Sequence, residues 1–162
     1  MMQPRPGAQR GFTMTELVVV IAILGILAAF AAPSMTKLLT AQKVRSTSYD
    51  LFADLTYARS EAIARGRNVT MQSASGGTNW AGGWQIWDNT AAPPVKLRDQ
   101  SAIATGVVFT ADQASLVFDR TGRTGAIANF NIEPVDPAAT TDQKRCVHID
   151  PSGRPRTAQG AC

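Results

Sequence analysis

The hydrophobic and polar positions of the chain fall into three successive patterns. Leu17 to Ala32 is an unbroken run of sixteen apolar or small residues. Counted from Phe12 to Ala32, the segment has 21 residues, about 31 Å as a helix at ~1.5 Å per residue, the thickness of a bilayer core. From Ser34 to Arg65 there is no glycine or proline, and Val44, Leu51 and Ala58 recur every seven residues, interleaved with Leu55 and Ala62. That spacing predicts a helix with one apolar stripe, widened by Phe52 and Ile63. Pro33 is expected to kink or loosen the helix without ending it, and Gly66 to cap its C-terminus. Glu61 and Arg65 make a favourable i,i+4 pair on its polar side.

After Gly66 the period shortens. Asn68–Met71, Trp84–Trp87, Gly106–Phe109, Ser115–Phe118, Phe130–Ile132 and Cys146–Ile149 are strand candidates, the second alternating apolar and polar residues as a half-buried strand does. Residues 73–79, 89–94 and 134–143 read as loops. Asp119–Gly125 reads as the turn of a hairpin on which Phe130–Ile132 returns, and Asp150–Gly153 as a turn followed by a tail, Arg154–Cys162. One long helix followed by a small, mostly antiparallel sheet is an α+β architecture.

Charge changes this picture at the N-terminus. The leader carries Arg5 and Arg10, no acid and no apolar run, which places that end in the cytoplasm and the C-terminal bulk outside. Ala29-Phe30-Ala31 offers an ordinary signal-peptidase site. Glu16 argues against that use, since a carboxylate at the head of a membrane segment costs about 2–3 kcal/mol, with no return if the segment is discarded. Without the leader the balance is 14 basic against 12 acidic side chains, so global charge does not point to nucleic acid. Cys146 and Cys162, the only cysteines, are expected to form a disulfide in an exported domain.

Gly11-Phe12-Thr13-x-x-Glu16 before an apolar helix resembles the processing signal of type IV pilins and type II secretion pseudopilins. The resemblance implies cleavage between Gly11 and Phe12 by prepilin peptidase, methylation of Phe12, and pairing of Glu16 with the freed amine of a neighbouring filament subunit. Further along, Ala58-Arg59-Ser60-Glu61-Ala62, Arg65-Gly66-x-Asn68-Val69, Gly83-Trp84, Phe118-Asp119-x-x-Gly122 and Ser152-Gly153-Arg154 are similar to the GspH/FimT/FimU branch. The implied organisation is a leader (1–11), a transmembrane and filament-core helix (12–33), its amphipathic continuation (34–66) and a periplasmic sheet domain (67–162). The implied protein is a single-pass inner-membrane protein that joins other pilins in a pilus near its tip, or in a type II secretion pseudopilus.

No histidine–carboxylate–nucleophile set is evident around His148, the only histidine, and no phosphate loop or zinc spacing occurs. The expected protein is therefore a structural component without cofactor or metal, rather than an enzyme. Asp136 and Asp142 read as solvated loop acids. One cluster suggests binding: Lys144, Arg145, Arg154 and Arg156 lie close in sequence, and a Cys146–Cys162 bond would tie the tail beside the last strand. Arginine forks suit phosphate oxygens, and the Gly153-Arg154-x-Arg156 tail resembles the basic tail of DNA-uptake pilins. DNA is thus the candidate second partner.

Overall fold

The computed structural model describes residues 12–103 and 105–162, with 31–34 described as backbone only. One helix, α1 (Met14–Arg65), is continuous through position 33, so Pro33 does not end it. The chain divides into two compact units, with the boundary in sequence between Leu38 and Leu39.

The first unit is the N-terminal part of α1. Its apolar side chains, among them Val18, Ile21, Leu24, Leu27 and Phe30, are exposed. Among the described residues no single helix is long and apolar enough to cross a membrane; the two fully described parts of α1, Met14–Phe30 and Met35–Arg65, reach that length and composition only together.

In the second unit, α1 from Leu39 onward joins eight strands: β1 (Val69–Ser73), β2 (Trp84–Asp88), β3 (Val95–Gln100), β4 (Val107–Ala111), β5 (Ser115–Phe118), β6 (Ala128–Pro134), β7 (Arg145–Ile149) and β8 (Pro155–Gln159). They make two antiparallel four-stranded sheets, ordered β3-β2-β1-β5 and β4-β6-β7-β8. The heptad stripe supplies the helix's share of the core: Val44, Leu51, Leu55, Ala58 and Ala62 are fully buried. Between the sheets an aromatic cluster fills the centre, with Trp80 edge-on to Phe130 at 5.0 Å and Trp84 edge-on to Phe109 at 5.7 Å. Each such pair adds about 0.5–1.5 kcal/mol beyond the area it buries.

Gly66 ends α1 as its sequence position predicts. At φ +63° it donates to Ile63 O, while Arg67 donates to Ala62 O, the paired bonds of a Schellman cap. The predicted Glu61–Arg65 pair forms, at 2.6 Å.

Four expectations are corrected. Phe52 and Ile63 do not widen the buried stripe: they are 38% and 49% exposed, because their positions fall outside the arc set by Leu51, Leu55, Ala58 and Ala62. Asp119–Gly125 does not turn a β5–β6 hairpin, since β5 pairs with β1 and β6 pairs with β4 and β7. That segment is a self-contained loop, closed by the Phe118–Thr124 bridge and by Asp119 Oδ1 accepting from the Thr121 and Arg123 N–H groups. The sequence reading also omitted β3, whose few apolar residues alternate with charges and whose pattern is largely exposed. Finally, the tail after Gly153 is a strand, β8, paired with β7 from Ile149/Pro155 to Arg145/Gln159. A proline opening an edge strand removes no ladder bond.

Candidate functional site

Two regions carry the predicted site residues, one in each unit. Gly11, the predicted cleavage position, lies outside the described residues. Phe12 is exposed. Beside it, Thr13 and Glu16 lock the start of α1: the Thr13 N–H and Oγ1–H donate to Glu16 Oε2 at 2.9 and 2.8 Å, and the Glu16 N–H donates back to Thr13 Oγ1 at 3.2 Å. This is a reciprocal capping box, which satisfies N–H groups that the first helical turn leaves without partners. The sequence reading assigned Glu16 to intersubunit pairing and passed over this local use, although Thr-x-x-Glu ahead of an apolar run is its signature.

The second region is the C-terminal end of the sheet β4-β6-β7-β8. Cys146 and Cys162 are bonded, their Cα atoms 5.1 Å apart, and Gly160 N–H donates to Lys144 O at 3.1 Å, so the C-terminal end of β8 is fixed. A cross-link of this loop length contributes about 3 kcal/mol in the chain-entropy account.

The four basic residues singled out in the sequence do not form one cluster. Lys144 Nζ pairs with Glu133 Oε2 at 2.9 Å. Arg145 is 9% exposed, and its Nη1 donates to the carbonyl oxygens of Asp142 and Lys144. Register puts Arg145 opposite Gln159, at the far end of the strand pair from Pro155, while Arg156 sits opposite His148. Arg154 and Arg156 are exposed, and neither forms an ion pair among the described residues. Between them and β7 lies Asp150, whose carboxyl the Ser152 hydroxyl, aided by the Arg154 and Ser152 N–H groups and the Arg156 charge, holds below the ordinary carboxylate range. Its negative charge offsets one of the two guanidinium groups. His148 Nδ1 is 2.7 Å from Asn129 Oδ1, a structural contact on the outer face of the sheet.

The turn that carries Arg154 is held from below. Gly153, at φ +74°, packs so tightly on Gly122 that a Cβ there would meet Gly122 O at 2.0 Å. The same Gly122 O accepts from Arg59 Nε at 3.0 Å. Arg59, Gly122 and Gly153 come from three motifs far apart in sequence, and they meet at one point joining α1 to the two loops.

A second junction was not anticipated. Asp54 is 4% exposed, and it accepts from Trp84 Nε1 at 2.8 Å and pairs with Arg98 of β3. The Arg98 guanidinium lies 4.2 Å from the centre of the Tyr57 ring. The signal was present: Asp54 occupies the inward row Leu51, Asp54, Leu55, Ala58, where an acid must find partners. No group of three or more potential metal ligands occurs among the described residues.

Comparison with known proteins places these features. Residues 48–153 match the family model described as type II transport protein GspH, and residues 7–32 match the prokaryotic N-terminal methylation motif. A fimbrial protein of Pseudomonas aeruginosa is 29% identical over 111 residues, covering 67% of this chain and 71% of its own. A type IV major alpha-pilin of Moraxella bovis is 38% identical over 68 residues, 42% of each chain. Among solved structures, the type IV minor pilin FimU of P. aeruginosa matches with a TM-score of 0.61 at 24% identity, covering 72% of this chain and 89% of its own. The minor pseudopilin EpsH of the Vibrio cholerae type 2 secretion system matches with a TM-score of 0.58 at 14% identity, covering 72% and 97%.

Proposed function

The chain belongs to the GspH family of minor pilins and pseudopilins, and from that premise we propose that it is a minor type IV pilin, cut by prepilin peptidase and built into a pilus near its tip, where it supports assembly. The family is one of structural subunits, not enzymes. The observation that carries the reading is that the methylation motif runs directly into α1, and α1 into the GspH-type domain. In this reading residues 12–33 anchor the unassembled subunit in the inner membrane, with the sheet domain in the periplasm, and the exposed apolar side chains of the first unit pack against other pilins after assembly. A place in a type II secretion pseudopilus is the alternative within the same family, supported by the likeness to EpsH.

The test is the mature N-terminus. Mass spectrometry of the protein from sheared surface filaments is expected to find a chain beginning with N-methylated Phe12, and Gly11→Ala is expected to leave the leader attached and deplete the filament fraction. A mature chain beginning at Ala32 would overturn the reading, because an ordinary signal peptidase would then have removed the helix.

One observation favours a further role in binding DNA: Arg154 and Arg156 are exposed on a turn held by the Gly153–Gly122 contact and on a strand paired with β7, and among the described residues their guanidinium groups form no ion pair. Lys144 is paired with Glu133, and Arg145 is buried at the far end of the strand pair, so the contact narrows to two residues. Full-length protein in detergent is expected to bind duplex DNA weakly, without sequence preference. Replacing both arginines by glutamine is expected to lower the slope of log affinity against log salt by about 2, one phosphate for each lost fork. Melting of the domain should not change, since exposed charges contribute little to stability. Equal binding by wild type and double variant would leave only the assembly role.

A further inference from the structure

The free edge of β8 borders a groove of about 220 Å3 lined by Ser48 and Tyr49 of α1, Arg145 of β7, and Thr157, Ala158 and Gln159 of β8 itself. In an antiparallel pair, residues that exchange both hydrogen bonds alternate with residues that exchange none. The bond from Gly160 N–H to Lys144 O fixes that phase along β7 and β8. Ala158 and Arg156 therefore turn their main chain toward β7. Thr157 and Gln159 turn their N–H and C=O groups outward, with the Pro155 carbonyl. β8 ends its sheet, so these groups have no strand partner among the described residues.

Two of the other three edges, those of β4 and β3, are protected. The outer side of β4 is covered by residues 78–80, with Trp80 N–H donating to Phe109 O and Ala111 N–H to Thr78 O. β3 carries Lys96, Arg98 and Asp99 and is paired through a register shift at Ile86/Trp87. Pro155 and Arg156 guard the start of β8, but over Thr157–Gln159 there is, among the described residues, neither a charge on the strand, a bulge nor a covering segment, the usual devices against strand addition.

The groove also contains a guanidinium whose fork is only partly used. Arg145 is nine-tenths buried and forms no ion pair among the described residues; its Nη1 donates to two carbonyl oxygens, and the Asp142 carboxylate supplies a more distant negative charge. A buried guanidinium is costly unless an anion answers it. Arg45 adds positive charge on the α1 side, one helical turn before Tyr49; the Asp142 carboxyl is lowered chiefly by the Thr140 hydroxyl, with smaller contributions from Arg145 and Arg45.

We propose that the β8 edge accepts an extended segment of another protein, which adds as a fifth strand on Thr157 and Gln159 and directs a carboxylate side chain into the groove toward Arg145. The main-chain bonds supply affinity, and the Arg145 fork, which matches a carboxylate, supplies selectivity. Because the disulfide and Gly160 already hold β8 in place, little ordering cost falls on this side of the complex. The proposal goes beyond the pilin reading, and its failure would leave that reading intact.

Hydrogen exchange at single-amide resolution on the full chain in detergent tests it. The probes are a heptapeptide alternating threonine and valine with a central glutamate, the same peptide with a central glutamine, and a short duplex DNA. Before any probe is added, the Thr157 and Gln159 amides are expected to exchange faster than those of Arg156 and Ala158. The glutamate peptide is expected to slow both and to bind about tenfold more tightly than the glutamine peptide, the ratio a charge-assisted hydrogen bond gives. Arg145→Gln is expected to erase that ratio, and Thr157→Pro, which removes only an outward N–H, to weaken both peptides equally. If Arg145→Gln does not fold, the ratio measured on the unaltered protein decides. Equal affinity of the two peptides, no protection at Thr157 and Gln159, or protection by DNA with none by peptide would each overturn the proposal.

Discussion

Gly153→Ala is expected to destabilise the sheet domain by about 3–4 kcal/mol, a large fraction of the stability of a domain this size. Two effects add. Position 153 is held at φ +74°, which costs a residue with a Cβ on the order of 1 kcal/mol or more. The new methyl would also lie 2.0 Å from Gly122 O, a backbone atom that cannot swing aside as a side-chain tip would. Moving it breaks the bond from Arg59 Nε and so loosens α1 from both loops. Two other glycines separate the terms. Gly66 has φ +63° but open space around its Cβ position, so Gly66→Ala is expected to cost about 1 kcal/mol. Gly125 has neither constraint, and Gly125→Ala is expected to be neutral or slightly stabilising. Thermal melting of the full chain in detergent, followed by fluorescence of the buried Trp80 and Trp84, checks the series. Equal effects at the three positions would show that the Gly122–Gly153 contact carries no weight.

That contact also marks how far the fold could be read from sequence. The helix and its buried stripe were legible because Val44, Leu51, Leu55, Ala58 and Ala62 repeat at helical spacing over a stretch without glycine or proline. Strands were legible where apolar and polar residues alternate, as in Trp84–Asp88 and Val107–Ala111, because alternation on a half-buried sheet is a local property. Two edge strands were not. β3 and β8 are strands because a neighbour's backbone offers hydrogen bonds, and their own residues, Lys96, Arg98, Asp99 and Arg156 among them, report only that they face water. Nor did sequence reveal that β5 and β6 enter different sheets: a tight turn such as Asp119–Gly125 looks alike whether the chain returns beside itself or crosses to another layer.

The candidate sites divide in the same way. Nearness in sequence grouped Lys144 and Arg145 with Arg154 and Arg156, but antiparallel register sends the two pairs to opposite ends of β7 and β8. Asp54 was passed over because a stripe read by its apolar members hides the one acid among them. Glu16, by contrast, was singled out for the cost of its charge, which drew attention away from the Thr13-x-x-Glu16 capping signature.

That double role allows the assembly reading to be tested with two substitutions at one position. Glutamine at the third helical residue still completes a capping box, whereas alanine does not. Losing the box costs about 1 kcal/mol at the helix end, which is too little to unfold a sheet domain whose core holds no residue of that turn. If Glu16 serves only the cap, Glu16→Gln is expected to enter filaments as well as the unaltered protein, and Glu16→Ala slightly less well. If its charge answers the ammonium group of a neighbouring Phe12, as the resemblance to pilins implies, both variants lose that pairing in a low-dielectric filament core, where an unanswered charge costs several kcal/mol. We therefore expect Glu16→Gln and Glu16→Ala to be depleted alike from sheared filaments, by tenfold or more at ~1.4 kcal/mol per decade, with the melting temperature of the domain unchanged. Quantitative immunoblotting of filament and membrane fractions gives the ratio. Normal incorporation of Glu16→Gln would reduce Glu16 to a helix cap and remove the charge-pairing step from the proposed assembly.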